Sequence, residues 1–388
     1  MTPISFHAPR ILEIGGGGVA KVPVVLARLG LGRPLIVTDP FMVASGLLER
    51  LTQPLRAAGL VVDVFSETVP EPTDMIVEAG VARIRPEHDC LLAFGGGSPI
   101  DTAKAMSILA SRGGKMRDYK APALADSGKL PLIAIPTTAG TGSEVTRFTV
   151  ISDVERDEKM LIAGLGALPL AAIVDYELTF SMPPRITADT GLDSLTHALE
   201  AYVSRRANPL SDALAESAMR LIGGNLRAAF HEPRNAQARA AMMLGATQAG
   251  LAFSNASVAL VHGMSRPIGA HFHVPHGLSN AMLLPAVTRF SLSAALPRYA
   301  QASRLAGFAG AGDDDASAGA KLLAGLEALN TELDVPTPVQ FGIPAAAWHA
   351  RTHLMAEQAL ASGSPQNNPK IPDVAEMVAL YSGLVPQG

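Results

Sequence analysis

The sequence is poor in cysteine, in aromatic residues and in charge. Its 388 residues include one cysteine, Cys90, so a disulfide within the chain and a zinc cluster built from thiolates are both excluded. Aromatic residues make up 5% and charged residues 17%, and the formal net charge is −4, which gives a nucleic acid little positive charge to bind. The apolar fraction of 48% is enough for at least one full core.

Long apolar runs are also missing. The longest run, over residues 160–174, is shorter than the ~18 residues that a membrane-spanning helix needs, and it contains glycine and proline. The N-terminal segment MTPISFHAPR lacks the basic and then apolar pattern of a signal peptide. These features predict a cytoplasmic globular protein with no membrane partner and no nucleic-acid partner.

Short apolar runs alternate with helical patterns in the first half of the chain. The predicted strands are residues 11–14, 34–38, 60–65, 90–94, 131–135 and 171–174. Helical patterns between them, such as residues 19–29 and 73–84, favour a parallel sheet with helices on both faces.

The pattern changes after the segment MPP at residues 182–184. From residue 189 onward, helical spacing dominates and β-branched runs disappear, which predicts an all-α second half. We therefore predict an α/β domain over residues 1–181 and a helical domain over residues 182–388.

Two glycine-containing turns follow buried strands of the predicted sheet. Residues 95–102 (GGGSPIDT) open a helix, where unhindered N–H groups and the helix dipole favour a phosphate. Residues 136–144 (PTTAGTGSE) follow the next strand and add hydroxyl groups. Together the turns predict one nucleotide site at the carboxyl edge of the sheet, with ordinary strand–helix turns as the alternative. The four glycines at residues 15–18 fit a dinucleotide fingerprint only loosely, and a simple turn explains them equally well.

Asp39 follows the second predicted strand. A carboxylate at that position can accept hydrogen bonds from both ribose hydroxyls and would repel a 2′-phosphate, so we expect NAD as the cofactor rather than NADP. The alternative role is a helix cap before Pro40.

Two segments of the second half contain possible metal ligands. Asp193 and His197 are four residues apart, on one face of a predicted helix. Downstream, four of the ten histidines lie close together, namely His262, His271, His273 and His276. A carboxylate with imidazoles suits Fe²⁺ or Zn²⁺, and an open coordination position would make the ion a Lewis acid. Spacing alone does not select among the histidines.

Three motifs resemble those of the iron-containing (group III) alcohol dehydrogenases. They are GGGSPIDTAK at residues 95–104, PTTAGTGSEVT at residues 136–146, and TADTGLDSLTHALEAYVS at residues 187–204 with VHG and PHG downstream. The resemblance extends over nearly the whole chain. It implies a dehydroquinate synthase-like architecture, in which a Rossmann-like parallel sheet that binds NAD precedes a helical metal-binding and substrate domain. It also implies a small alcohol or carbonyl substrate and a homodimer or larger homo-oligomer.

The resemblance further implies a role for individual residues. The implied metal ligands are Asp193, His197, His262 and His276. The implied NAD-binding residues are Asp39, Gly96, Gly97, Ser98, Asp101, Thr137, Thr138, Ser143, Lys159 and Leu178.

One position departs from the family pattern. Many relatives have a further histidine four residues after the VHG histidine, where this chain has Arg266. A guanidinium is always charged and cannot relay a proton at neutral pH, but it can hold a carboxylate or phosphate with two hydrogen bonds. Arg266 therefore either selects an anionic substrate or is structural, and proton relay would fall to His271 or His273.

The resemblance, together with the candidate nucleotide and metal sites, implies a metal- and NAD-dependent alcohol dehydrogenase that interconverts an alcohol and an aldehyde or ketone by hydride transfer. The alternatives are a dehydroquinate synthase-like lyase that uses NAD transiently, a glycerol dehydrogenase-like polyol oxidoreductase, and a nucleotide-binding protein without catalysis. The lyase needs several basic residues for a phosphorylated substrate, whereas Arg266 is the only one in the histidine-rich segment.

Overall fold

The computed structural model describes residues 3–385, which form two compact units. One unit is His7–Ser181. The other begins at Met182 and also includes residues 3–6. Within residues 3–385 no helix is long and apolar enough to cross a membrane.

The first unit is built on a parallel sheet. Its strands are β1 (Ile11–Ile14), β2 (Pro34–Val37), β3 (Asp63–Phe65), β4 (Cys90–Gly95), β5 (Leu132–Pro136), β6 (Phe148–Asp153), β7 (Glu158–Ala163) and β8 (Ala171–Val174). Six of them pair in parallel in the order β1-β8-β5-β4-β2-β3, and β6 pairs with β7 as an antiparallel hairpin.

Helices cover both faces of this sheet. They are α1 (Val22–Leu29), α2 (Pro40–Ala44), α3 (Glu49–Ala57), α4 (Asp74–Val81) and α5 (Gly97–Arg112). Because successive side chains of a strand point to opposite faces, β4 contributes Leu91 and Ala93 to one apolar core and Leu92 and Phe94 to the other. Both faces are therefore buried, as expected for a parallel sheet between helices.

Several element boundaries differ from the predicted ones. The strand predicted at residues 60–65 is shorter, Asp63–Phe65. The helix predicted at residues 19–29 is divided into a 3-10 turn, Gly18–Lys21, and α1. Proline at the start of α1 explains this division, because it lacks an N–H group and suits a first helical turn.

The β6–β7 hairpin was not predicted, and it is tied to α5 by two charged residues, the partly buried Asp101 and the fully buried Lys104. Asp101 accepts a hydrogen bond from the Val150 amide at 2.9 Å, and the Lys104 ammonium donates to the Phe148 carbonyl at 2.7 Å. Burial raises the pKa of Asp101, against the opposing effect of Lys104, and burial lowers the pKa of Lys104 to about 8. These two residues therefore connect α5 to the hairpin.

The strand order creates a switch point between β2 and β4. The chain continues from β2 to its neighbour β3 on one side, and from β4 to its neighbour β5 on the other. Open α/β sheets bind ligands at the carboxyl ends of the strands where the connections diverge, which in this sheet are the ends of β2 and β4.

The second unit is entirely helical over residues 182–385, apart from turns and loops. Its helices are α6 (Pro184–Val203), α7 (Pro209–His231), α8 (Ala236–Ala256), α9 (Leu260–Phe272), α10 (His276–Ser291), α11 (Leu296–Leu305), α12 (Asp315–Glu332), α13 (Ala345–Ala361) and α14 (Val374–Gly383). The predicted fold class, a parallel α/β half followed by a helical half, is confirmed.

A glycine allows α10 to begin directly against α6. A Cβ atom on Gly277 would lie 2.5 Å from the Asp189 carbonyl oxygen, so a larger residue would force the two backbones apart. This close approach places His276, the first residue of α10, beside the middle of α6.

Candidate functional site

The residues that follow three neighbouring strands meet at one edge of the sheet. Asp39, Gly96 and Thr137 lie just beyond β2, β4 and β5, and the paired registers of these strands bring their carboxyl ends level. Thr138 lies close to Gly96, because a Cβ atom added to Gly96 would be 3.4 Å from the methyl carbon of Thr138. The structure thus brings these four predicted NAD-binding residues together.

Gly95 gives this edge its shape. Its φ of +149° is a conformation that residues with a side chain rarely adopt, and an added Cβ atom would lie 2.6 Å from Pro99 Cγ. The same Cβ position is 3.3 Å from Asp39 Oδ2. Only glycine therefore lets the chain turn from β4 into α5 while staying close to Asp39.

The start of α5 is open to an anion. Gly97 and Ser98 form its first turn, and its N-cap residue, Gly96, supplies no side-chain cap. The hydroxyl oxygen of Thr137 is buried beside this edge and has no hydrogen-bond partner within residues 3–385. Uncapped helix amides and an unpaired buried hydroxyl both suit a phosphate.

Asp39 has the helix-cap role that the sequence analysis gave as the alternative, and its role in NAD binding stays a prediction. Its Oδ1 accepts a hydrogen bond from the Met42 amide at 2.9 Å and caps α2. Its Oδ2 lies on the side of Gly95, at the edge of the sheet.

The remaining residues implied to bind NAD are engaged within the protein. Asp101 accepts a hydrogen bond from the Ser143 hydroxyl at 2.6 Å, and the Lys159 ammonium pairs with Glu71 at 2.6 Å. Leu178 is part of the apolar core, so it offers a ligand no polar side-chain group.

The first glycine cluster, residues 15–18, is held by a carboxylate of the protein. Asp175, at the end of β8, accepts hydrogen bonds at 3.1 Å from the amides of Gly17 and Val19. Because these amides are already engaged, the observed contacts favour a structural turn over a phosphate site.

Ligand atoms of four side chains converge in the helical unit. Asp193 and His197 lie on α6, His262 on α9 and His276 at the start of α10. One ligand atom from each lies within 4.8 Å of the others, and no other such group of histidine, cysteine or acidic residues occurs in residues 3–385. Asp193 Oδ1 is 3.8 Å from His197 Nδ1, 3.5 Å from His262 Nε2 and 3.8 Å from His276 Nε2.

Three of the four side chains in this cluster are buried. Asp193, His197 and His262 are buried, whereas the side chain of His276 is 37% exposed and leaves one approach open. Burial alone would raise the pKa of Asp193, but the surrounding imidazoles lower it well below its usual range. Asp193 is therefore ionised at neutral pH, as a candidate ligand of a cation must be.

Glu200 fixes the orientation of His262. This buried carboxylate accepts hydrogen bonds from the Ala259 amide at 2.9 Å, the Val261 amide at 2.6 Å and His262 Nδ1 at 2.7 Å. Because a carboxylate can only accept, His262 Nδ1 carries a proton, and when the ring is neutral the lone pair of Nε2 faces the cluster. Burial lowers the pKa of His262, but hydrogen bonds to Asp193 and Glu200 raise it to about 8 overall.

Aromatic packing holds the second histidine of the cluster. The His197 ring stacks on Phe253, with centroids 4.2 Å apart, and on His262, with centroids 4.4 Å apart. Its rotation is therefore restricted, and a restricted ring is a better preorganised ligand.

Two residues that the sequence reasoning missed complete the cluster. Glu200 is three residues after His197 on α6, and Asn280 is four residues after His276 on α10, so helical spacing from the candidate ligands was the available signal. The amide nitrogen of Asn280 lies 2.7 Å from Asp193 Oδ1.

Arg266, His271 and His273 are not among the four side chains that converge. Arg266 is one helical turn beyond His262 on α9, and its guanidinium donates to the Ser364 hydroxyl at 3.0 Å. Burial lowers the pKa of Arg266 to about 10, so it stays charged at neutral pH. His271 contacts the Gln358 side chain, and His273 is exposed where α9 ends. Proton relay by His273 stays a prediction.

Two family profiles together match nearly the whole chain. Residues 9–176 match the profile described as iron-containing alcohol dehydrogenase, and residues 187–385 match the C-terminal profile of the Fe-containing alcohol dehydrogenase family. The chain belongs to the iron-containing alcohol dehydrogenase family. The family predicted from its motifs is confirmed, and the lyase and polyol oxidoreductase alternatives are not favoured.

Individual relatives are similar along their full length. An NAD-dependent methanol dehydrogenase from Bacillus methanolicus is 36% identical over 378 residues, which cover 97% of this chain and 98% of that one. A crystal structure of 1,3-propanediol oxidoreductase has a TM-score of 0.93 at 34% identity and covers 98% of this chain and 100% of its own. A sulfoacetaldehyde reductase from Bifidobacterium kashiwanohense, solved with NAD⁺, has a TM-score of 0.87 at 28% identity, with 100% of both chains covered.

We expect Glu200→Gln to weaken binding of a divalent cation by about 10- to 100-fold, because the amide cannot accept from His262 Nδ1 and both backbone amides at once. Affinity is measured by competition with a chromogenic chelator. Asp175→Asn is the matched control. Asp175 is another buried carboxylate that accepts hydrogen bonds from backbone amides, but it contacts no imidazole of the cluster. Equal affinity in Glu200→Gln and the unmodified protein would contradict the orienting role.

Proposed function

We propose that this protein catalyses reversible oxidation of a small alcohol to an aldehyde or ketone, with NAD bound at the edge formed by β2, β4 and β5 and a divalent cation bound by Asp193, His197, His262 and His276. The observation that carries the proposal is the convergence of these four ligand atoms within 4.8 Å. Family membership supplies the reaction class. Accordingly, we assign NAD binding to the unit His7–Ser181 and metal and substrate binding to the helical unit.

The donor set fits a catalytic cation. One carboxylate and three imidazoles suit Fe²⁺ and Zn²⁺, and the chain has no thiolate nearby to favour a closed structural zinc site. The family description names iron, and we propose Fe²⁺ with Zn²⁺ as the substitute. When bound, the cation supplies Lewis acidity, which favours ionisation of an alcohol and polarises a carbonyl.

The edge of the sheet fits NAD. The uncapped start of α5 and the unpaired Thr137 hydroxyl support a pyrophosphate position there. Asp39 Oδ2, which is not used for capping, supports recognition of the ribose hydroxyls. When bound, NAD would supply the hydride acceptor, and the residues at this edge would hold and orient it.

The residues of the chain have distinct roles in this proposal. Asp193 contributes negative charge, Glu200 sets the lone pair of His262, and stacking on Phe253 restricts His197. The exposed side of His276 leaves the approach through which a substrate oxygen reaches the cluster. Preorganisation of this kind lowers the entropic cost of bringing alcohol and cofactor together.

The direct test follows NADH formation by absorbance with a panel of short alcohols, diols and hydroxy acids. Chelator-stripped protein should lose activity, and Fe²⁺ or Zn²⁺ should restore it, with one NADH formed per alcohol oxidised. His276→Ala should lower the restored activity by at least about 100-fold, because a ligand is lost. His353→Ala, which removes an exposed histidine on α13, should leave it unchanged.

Two results would overturn the proposal. Full activity after removal of the metal would exclude catalysis by the cation. Turnover without net NADH would instead indicate the transient use of NAD that is typical of a lyase.

Asp39 should determine the choice between NAD and NADP. We expect Asp39→Ser to raise the kcat/KM ratio of NADP to NAD by about tenfold or more, equivalent to ~1.4 kcal/mol, because it removes the charge that repels a 2′-phosphate. Serine keeps the α2 cap. Asp373→Ser at the N-cap of α14 is the matched control, and an unchanged ratio in Asp39→Ser would exclude Asp39 from cofactor selection.

We further propose that Arg266 favours an anionic substrate. It is charged at neutral pH and lies one turn beyond the candidate ligand His262. A relative of the same fold is a sulfoacetaldehyde reductase, whose named substrate carries a sulfonate. A fixed guanidinium is well suited to such a group because it offers two parallel hydrogen bonds.

Paired substrates test this role. Arg266→Ala should lower kcat/KM for a hydroxy acid by about 30- to 100-fold, since a hydrogen bond to a charged group contributes ~1.5–3 kcal/mol, and should change that for the uncharged alcohol of equal length only slightly. Ser364→Ala is the control for the structural contact of Arg266. Equal losses on both substrates would show that Arg266 is structural.

The predicted homodimer and cytoplasmic location stay predictions. Light scattering coupled to size-exclusion chromatography measures the former, and fractionation of cells that express the tagged chain measures the latter.

A further inference from the structure

Lys104, the last residue of the motif GGGSPIDTAK, is fully buried on α5. Burial lowers its pKa to about 8, against the opposing effects of Asp101 and Glu144, so the side chain is mostly an ammonium ion at neutral pH. A buried charge is costly unless it is paired or hydrogen-bonded. The oxygens around this ammonium group therefore replace the water that it has lost.

One short segment of the chain supplies those oxygens. The ammonium nitrogen lies 2.9 Å from Ser143 Oγ, 3.0 Å from the Thr146 carbonyl oxygen, 3.1 Å from Thr146 Oγ1 and 2.7 Å from the Phe148 carbonyl oxygen. An ammonium group has three N–H donors, so these four oxygens engage all of them. The conformation of residues 143–148 is thus set in part by contacts with one ammonium group.

The same segment contains the end of the second glycine-containing turn, residues 136–144, which packs on the start of α5. A Cβ atom added to Gly97 would lie 2.8 Å from the methyl carbon of Thr141, and one added to Gly96 would lie 3.4 Å from that of Thr138. The turn is therefore in contact with the open end of α5, where the proposed pyrophosphate position lies.

This turn is fixed at both ends. At its beginning, Pro136 pairs with Gly95 in the parallel sheet. At its end, the hydrogen bonds of Lys104 join Ser143 and Thr146 to α5. Without the ammonium group, the oxygens of this segment would lose their common donor, and buried acceptors without a donor are costly. We therefore expect the far end of the turn to shift if an apolar side chain replaces Lys104.

We propose that Lys104 is a positioning residue of the NAD site, which holds the second glycine-containing turn so that Thr137 and Thr138 stay beside the start of α5. This inference rests on the proposed NAD site. Lys104 acts through the turn and does not contact the cofactor, because its side chain is fully buried and its N–H groups are engaged within the protein. Binding sites need their contact groups held to within about 0.5 Å, so a small shift of the turn weakens binding.

The test compares Lys104→Met with the unmodified protein, because methionine has a side chain of similar length and no N–H donor. Binding of NADH to the metal-free protein is followed by the fluorescence of NADH. We expect the Kd for NADH to rise by about tenfold or more, since the hydrogen bonds of a charged donor are lost. In steady-state assays the KM for NAD should rise, whereas kcat at saturating NAD and the affinity for Zn²⁺ should stay within about twofold.

Ser107→Ala is the matched control. Ser107 is also buried on α5, three residues after Lys104, but its hydroxyl donates to the Leu130 carbonyl at 2.8 Å, just before β5 begins. This contact lies at the opposite end of β5 from the turn, so its loss should leave the Kd for NADH unchanged. An unchanged Kd in folded Lys104→Met, or an equal rise in Ser107→Ala, would overturn the proposal.

A second variant covers the case in which Lys104→Met does not fold. Lys104→Gln keeps two N–H donors but no charge, and its shorter side chain cannot serve all four oxygens. We expect its Kd for NADH to be raised by at least about threefold, and a value equal to that of the unmodified protein would overturn the proposal. Circular dichroism and thermal unfolding establish that each variant is folded. If the unmodified protein does not bind NADH, the proposed NAD site itself fails, and this proposal with it.

Discussion

The arrangement of α6, α9 and α10 depends on the convergence of one carboxylate oxygen and three imidazole nitrogens at a single point. Asp193 Oδ1 lies within 4 Å of atoms from three imidazoles, and three of these four side chains are buried. Buried ionisable groups are costly unless they are paired, hydrogen-bonded or bound to a metal. Here the imidazoles lower the pKa of Asp193, Glu200 holds the proton of His262, and the Asn280 amide donates into the cluster. A bound cation would be matched by the negative charge of Asp193 and by the four converging ligand atoms.

The surrounding helices maintain this arrangement. Glu200 accepts hydrogen bonds from backbone amides at the start of α9, so the same carboxylate that orients His262 also caps the helix that carries it. Gly277 lets α10 start against the Asp189 carbonyl of α6. Helix packing and ligand geometry are thus set by the same few contacts, and disturbing either would disturb the other.

Much of the fold could be predicted from residue patterns, because the six strands of the parallel sheet are short apolar runs bounded by turn residues. The β6–β7 hairpin could not be predicted in this way. Its second strand, Glu158–Ala163, begins with charged residues and merges into the apolar run at residues 160–174, so no compositional boundary marks it. Its position depends on Asp101 and Lys104, which lie some 40 residues or more before their partners and act only once the chain is folded. Of the site, the motifs supplied the candidate ligands. They did not mark Glu200, which lies within the motif at residues 187–204, or Asn280 as partners of the candidate ligands, and they could not show that Leu178 lies in a core.

Anomalous diffraction from crystals grown with Fe²⁺ or Zn²⁺ locates the bound ion without reference to activity. We expect one strong peak within coordination distance of Asp193, His197, His262 and His276. A peak elsewhere, or none among these side chains at full metal loading, would contradict the proposed metal site.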